Sequence, residues 1–136
     1  MILPYSYDDS RPDSFEYIVG TTGISVKVGT ALNFVSGKLA IATGTTKPEY
    51  ISMSEIASVA ANQEIPVIRV SDDTVYETEL STASAAIALG AKYTLDATGS
   101  KITATTSGGV AEVVAYDGKA AGDKVRVRFE ERSKEI

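Results

Sequence analysis

Two pairs of neighbouring carboxylates, Asp8-Asp9 and Asp72-Asp73, are the first residues in this 136-residue chain whose types and spacing could do chemistry. Adjacent acids can hold a divalent cation, but a calcium loop needs oxygen ligands at alternating positions, as in D-x-[DN]-x-[DN]-G. Neither pair has that spacing, and Asp72-Asp73 lies between two β-type runs, where a turn is the simpler role. Two carboxylates facing each other across a groove can cleave a glycosidic bond. Glu55 and Glu112 fall at roughly equivalent places in two related segments, yet each also fits a solvent-facing strand position, and the chain has no Trp to stack on a sugar. Thr98-Gly99-Ser100-Lys101 is superficially like the end of a phosphate-binding loop, but it lacks the first Gly and the Gly-Lys-Ser/Thr order. Lys124, Arg126 and Arg128 form a cationic stripe. In a chain of net charge -5 that stripe reads as a solvated face, or as a set of ion-pair partners, before it reads as a phosphate site.

The chain has neither Cys nor His. Disulfides, thiol chemistry, zinc sites of the usual Cys/His kind, histidine general bases and Ser-His-Asp triads are therefore excluded. No catalytic, cofactor or metal site is expected, and the protein reads as a non-enzyme. Met1-Ile2-Leu3-Pro4 leads straight into polar sequence without the basic and apolar regions of a signal peptide, and no apolar run is long enough to cross a bilayer. The expectation is synthesis in a cytoplasm, with no membrane and no nucleic acid as partner.

The elements that must position these residues come in two copies. Phe15-Glu16 recurs as Tyr76-Glu77, Val28 to Phe34 as Leu89 to Leu95, and Ser36-Gly37-Lys38-Leu39 as Thr98-Gly99-Ser100-Lys101-Ile102. Ile65 to Val70 recurs as Val125 to Phe129. The order is kept at an offset of roughly 60 residues, a spacing that marks repeated supersecondary units. Repeat one runs from about 15 to 70 and repeat two from about 76 to 129.

Within each copy the signals are β. Phe15, Tyr17 and Val19 alternate with Glu16 and Ile18; Val125, Val127 and Phe129 alternate with Lys124, Arg126 and Arg128. Ser36-Gly37 and Asp117-Gly118 read as hairpin turns. Ser52 to Ala61 and Ser81 to Leu89 contain good helix formers, but the repeat aligns both with alternating segments, so both read as mainly extended. The cations on the last strand read as protection for a terminal edge. The expected fold is all-β, a sandwich or small barrel of two repeated halves forming one domain over 15–136, preceded by an extended and flexible N-terminal arm over 1–14. The arm is polar and aperiodic but carries aromatics. Tyr5, Tyr7, Arg11 and Phe15 are its candidate contact residues for a partner, and its removal is expected to leave the fold intact.

The stretches Val28 to Leu39, Thr45 to Ile51 and Ile65 to Val70, together with Gly109 to Val114 and Ala120 to Phe129, resemble small head proteins of tailed bacteriophages. The resemblance covers most of the chain from about Phe15 to Phe129, and its motifs are strands and turns. It implies a capsid decoration protein that binds the outside of an expanded shell and holds neighbouring subunits of the major capsid protein together. It also implies a homo-oligomer, a trimer foremost, an arm that engages the shell, and a location on the virion exterior after synthesis in the bacterial host cytoplasm. The competing reading is a head-fibre or tail-associated module that recognises a glycan or host surface.

Overall fold

The computed structural model describes residues 1–7, 15–71 and 74–129. Ten strands form: β1 (Leu3–Tyr7), β2 (Phe15–Val19), β3 (Ala31–Val35), β4 (Lys38–Ile41), β5 (Tyr50–Ser52), β6 (Glu64–Arg69), β7 (Thr74–Glu79), β8 (Lys92–Tyr93), β9 (Ala111–Tyr116) and β10 (Lys124–Arg128). No helix occurs among the described residues. The protein is all-β, with one five-stranded sheet in the order β2-β6-β5-β3-β4 and another in the order β1-β7-β10-β9-β8.

The repeat is visible in this topology. In strand order, β2, β6, β5 and β3 correspond to β7, β10, β9 and β8. Where β4 pairs with β3, the isolated Leu95–Ile102 bridge takes its place in the second half. Each half is then drawn towards a small barrel by one parallel bridge, Gly20 to Leu39 in the first and Leu80 to Ile102 in the second. The structure moves one correspondence by a residue. Glu16 pairs with Val67 as Tyr76 pairs with Val127, so Glu16, and not Phe15, is the counterpart of Tyr76. A slip of one residue exchanges the two faces of a strand. Tyr76 accordingly points into the second-half core, whereas Phe15 points outward.

Core packing explains the different sequence textures of the halves. Leu32, Leu39, Tyr50, Ile65 and Val67 fill the first barrel with Val26 and Val59. Their strand neighbours Ala31, Ile51 and Ile68 point the other way and join the larger cluster built around Tyr76, Leu95, Ile102, Val127 and Phe129. The first-half sheet is thus buried on both faces where it meets the second half, which is why β6 is an almost unbroken apolar run. β10 has one buried face and reads as strict alternation.

The seam between the halves is tight. Ala31 N donates to Gly99 O, and Gly44 and Leu95 exchange backbone hydrogen bonds. Gly99 has φ 69° and lies so close to the first half that a Cβ would sit 2.8 Å from Ala42 O. Glycine meets both demands at once.

Several expectations are revised. β10 is not a terminal edge strand; it is central, between β7 and β9. Ser36-Gly37 does form a two-residue hairpin turn, with φ 54° and 80°, as a type I′ turn requires. Asp117-Gly118 does not. It opens a longer loop, in which Asp117 N donates to Lys124 O and Ala120 N to the Asp123 carboxylate. Ala85, Ile87 and Leu89 form no strand; Ile87 is buried through a turn in which its N–H donates to Ser84 O.

The arm expected over 1–14 is a strand of the sheet in its first part. Pro4 pairs with Tyr76 and Tyr7 with Thr74, and Ile2 is fully buried with its N–H on Gly29 O. The reason is geometric: β7 would otherwise leave an open edge beside the seam, and the absence of a side chain at Gly29 lets Met1 and the Ile2 backbone pass close by, which brings the Ile2 side chain into the second-half core. Removing residues 1–14 would strip this strand and empty the Ile2 site, so that truncation is expected to destabilise the fold. A sharper test is Ile2→Ala. Chemical denaturation is expected to show a loss of about 3 kcal/mol, the cost of emptying a buried aliphatic site. A solvated arm would give a change within about 0.5 kcal/mol.

Candidate functional site

Two cations of the β10 stripe, Lys124 and Arg126, are neutralised by neighbouring carboxylates. Arg126 bonds Glu77 at 3.1 Å and Asp117 at 3.0 Å, and Lys124 bonds Glu79 at 3.2 Å. The Tyr5 ring lies over the Arg126 guanidinium, 4.6 Å from its carbon to the ring centroid. Such a contact fixes an otherwise loose aromatic on the surface. Tyr5 remains 56% exposed. The stripe therefore serves as a clamp for β1 and its neighbours, consistent with the ion-pair reading of its sequence.

The four sequence-predicted contact residues fall in different places. Tyr5 stands on β1, at the outer edge of one sheet. Tyr7 is placed by its backbone pairing with Thr74 on β7. Arg11 lies outside the described residues. Phe15 opens β2, at the edge of the other sheet, and is 54% exposed. Among the described residues no ring contact joins Tyr5 to Phe15.

Sequence reasoning missed the companion of Phe15. Tyr17, two residues on and on the same face, is 61% exposed, the more exposed of the two aromatics on this edge. The signal was available in the repeat: once Glu16 is matched to Tyr76, Tyr17 falls opposite Glu77, a surface position. A second aromatic group surrounds the rim of the first barrel. Arg69 makes two hydrogen bonds to the Glu16 carboxylate, at 3.1 and 3.2 Å, and covers the Tyr50 ring at 5.2 Å. Phe34 meets Tyr50 edge-on at 5.4 Å, and its N–H donates to Glu49. Four strands are tied together along this line, and the hairpin that carries Phe34 and Val35 presents both to solvent.

The acidic candidates do not converge. Glu55 is exposed on the loop after β5, while Glu112 is buried on β9, opposite Lys92 and Arg128. Glu112 is thus not the solvent-facing residue that the repeat implied. Asp8-Asp9 and Asp72-Asp73 lie outside the described residues. Among the described residues no three acidic side chains gather as a metal site. Thr98-Gly99-Ser100-Lys101 is a turn whose backbone N–H groups at Ser100 and Lys101 donate to Asp96. Those donors are committed to an internal carboxylate.

Between the halves, a cleft of about 580 Å³ is lined by Lys27, Val28, Ile41, Thr98 and Lys101 among others. What the surface presents most distinctly is aromatic area on strand edges, held by a rigid β body. Such area favours protein contacts. No model of a known protein family matches this chain, and no curated protein matches it.

Glu79 offers a pH handle on the clamp. Its hydrogen bond to Lys124 is the largest influence and holds the carboxyl below its usual range, against a smaller opposing effect of desolvation. A carboxylate depressed in the fold adds stability above its unfolded pKa and loses it as pH falls through the lower folded value. Glu79→Gln is therefore expected to lower the melting temperature at pH 7, with the gap to wild type closing below about pH 4. The pair is solvent-exposed, so the effect at neutral pH is expected to stay within about 0.5 kcal/mol. Thermal melts of both proteins across pH 3 to 7 check it; a gap that widens in acid would contradict the assignment.

Proposed function

We propose that this chain is a capsid decoration protein of a tailed bacteriophage: a non-enzymatic protein that binds the outer surface of the expanded shell and stabilises it through contacts with the major capsid protein. On this reading it is made in the bacterial host cytoplasm and resides on the virion exterior. The observation that carries the reading is the pairing of a rigid repeated β body with aromatic side chains fixed at its sheet edges, Tyr5 above all. The resemblance of the strand and turn motifs to small phage head proteins gives the surface its partner.

The physical case is one of multiplicity. A shell offers the same site many times, so a modest interface per copy suffices when each copy bridges neighbouring subunits. Tyr5 suits such an interface because its ring is held in place by Arg126 before binding, which lowers the ordering cost.

Expanded shells assembled without this protein provide the assay. Purified protein is expected to co-sediment with them saturably. Tyr5→Ala is expected to weaken binding by about tenfold or more, the range for an aromatic anchor, while the melting temperature moves little. Binding that is absent in the wild type, or unchanged in the variant, contradicts the assignment.

A further inference from the structure

We propose that β2 is a self-association edge, pairing antiparallel with β2 of a second copy about a two-fold axis at Tyr17. The inference does not rest on shell binding.

The first observation is which backbone groups β2 leaves over. Gly20 N donates to Gln63 O, so in this ladder the even-numbered residues of β2 bond towards β6. Pro66, opposite Tyr17, has no N–H, and its carbonyl accepts from Met53 on the far side. The N–H and C=O of Phe15, Tyr17 and Val19 therefore face away from β6. Thr21 continues the pattern and donates outward to Leu39 O, where the barrel closes. Among the described residues nothing pairs with the outward groups of Phe15 and Tyr17.

The second observation is the counterpart edge in the other half. β7 corresponds to β2, and Glu77 to Tyr17. That edge is occupied: β1 runs antiparallel along it, with Leu3 opposite Glu77 and Ser6 opposite Val75. The fold thus contains one worked instance of an added strand at this position, and β2 presents the same position without one.

The third observation is how the other edges are blunted. β1 carries Pro4 and a register shift between Pro4 and Ser6. β8 is two residues long. β4 begins with Lys38 and has its outer side taken by Gly20 and Thr21. These are the usual devices against edge-to-edge pairing. β2 has no Pro, no Lys and no bulge.

The sequence Phe15-Glu16-Tyr17-Ile18-Val19 is also complementary to itself. With the axis at Tyr17, Tyr17 faces Tyr17 of the second copy, Phe15 faces Val19, and Glu16 faces Ile18. Aromatic and β-branched pairs of this kind stabilise sheets, and no like charges oppose each other. Glu16 is already neutralised by Arg69. In this register Tyr17 exchanges both backbone hydrogen bonds with Tyr17 of the second copy and Val19 N–H meets Phe15 C=O, while the Val19 carbonyl stays with Leu39 in the parallel bridge that closes the barrel.

Sedimentation equilibrium of the full chain, from about 1 µM to about 500 µM, tests the proposal, since an interface of this size belongs to the weaker class. A reversible dimer is expected, and Tyr17→Lys is expected to be monomeric with an unchanged melting temperature. Tyr17→Cys gives an independent readout, because the chain has no other cysteine. Opposed residues in a hydrogen-bonded antiparallel pair lie about 5.5 Å apart at Cα, within disulfide reach. Mild oxidation is expected to cross-link Tyr17→Cys into dimers and to leave Lys38→Cys monomeric. A monomer at every concentration, a trimer, a dimer indifferent to Tyr17→Lys, or a cross-link no faster than that of Lys38→Cys would each overturn the proposal. If Tyr17→Lys fails to fold, the wild-type mass and the cross-link decide.

Discussion

Neither half of this protein is large enough to stand comfortably alone, and the structure depends on the apolar seam that joins them. A unit of about 60 residues buries little more surface than is needed to offset the entropy of ordering its chain. The first half meets the problem by using both faces of its sheet. Ile65 and Val67 close its own barrel, and Ile68, Ile51 and Ala31 extend the core of the second half. The small residues at the contact, Ala31, Ala42 and Gly99, allow the two backbones to approach within hydrogen-bonding distance. The result is one cooperative body from two similar pieces.

Edge management is the second constraint, and it follows from the first. Short antiparallel strands leave rows of unpaired backbone groups, and each must be paired, blunted or used. The second half takes in β1 from the far end of the chain, and the first half joins its edges through Gly20 and Leu39. The ion pairs of β10 belong to this scheme. Arg126 holds Glu77, Asp117 and the Tyr5 ring together, so the outer sheet is locked across three strands by one guanidinium. Exposed aromatics on so fixed a frame lose little freedom when a partner covers them.

Much of this was legible in the residues. Period-two alternation and glycine turns announced an all-β chain. Ser36-Gly37 announced its hairpin because a turn with two positive φ values accepts few other residue types. The repeated order of motifs foretold the repeated order of strands. What local pattern could not supply was everything set by non-local pairing. The alternation of β10 is the same whether the strand is an edge or the centre of a sheet. The match of Phe15 to Tyr76 was off by one residue, which is enough to reverse inside and outside and to conceal Tyr17. The first seven residues carry no alternation, because Pro4 and a register shift interrupt it, so their place beside β7 left no trace in the sequence pattern. Of the candidate contact residues, Tyr5 and Phe15 are exposed, and they occupy edges of different sheets, which the sequence pattern did not reveal.

The central proposal is that this β body coats a viral shell. Its most direct test is quantitative mass spectrometry of virus particles purified from the source culture, scored as copies relative to the major capsid protein. The decoration account predicts copies comparable to those of the shell protein. A handful of copies would move the protein to a vertex, tail or fibre, and its absence from the particles would contradict the account.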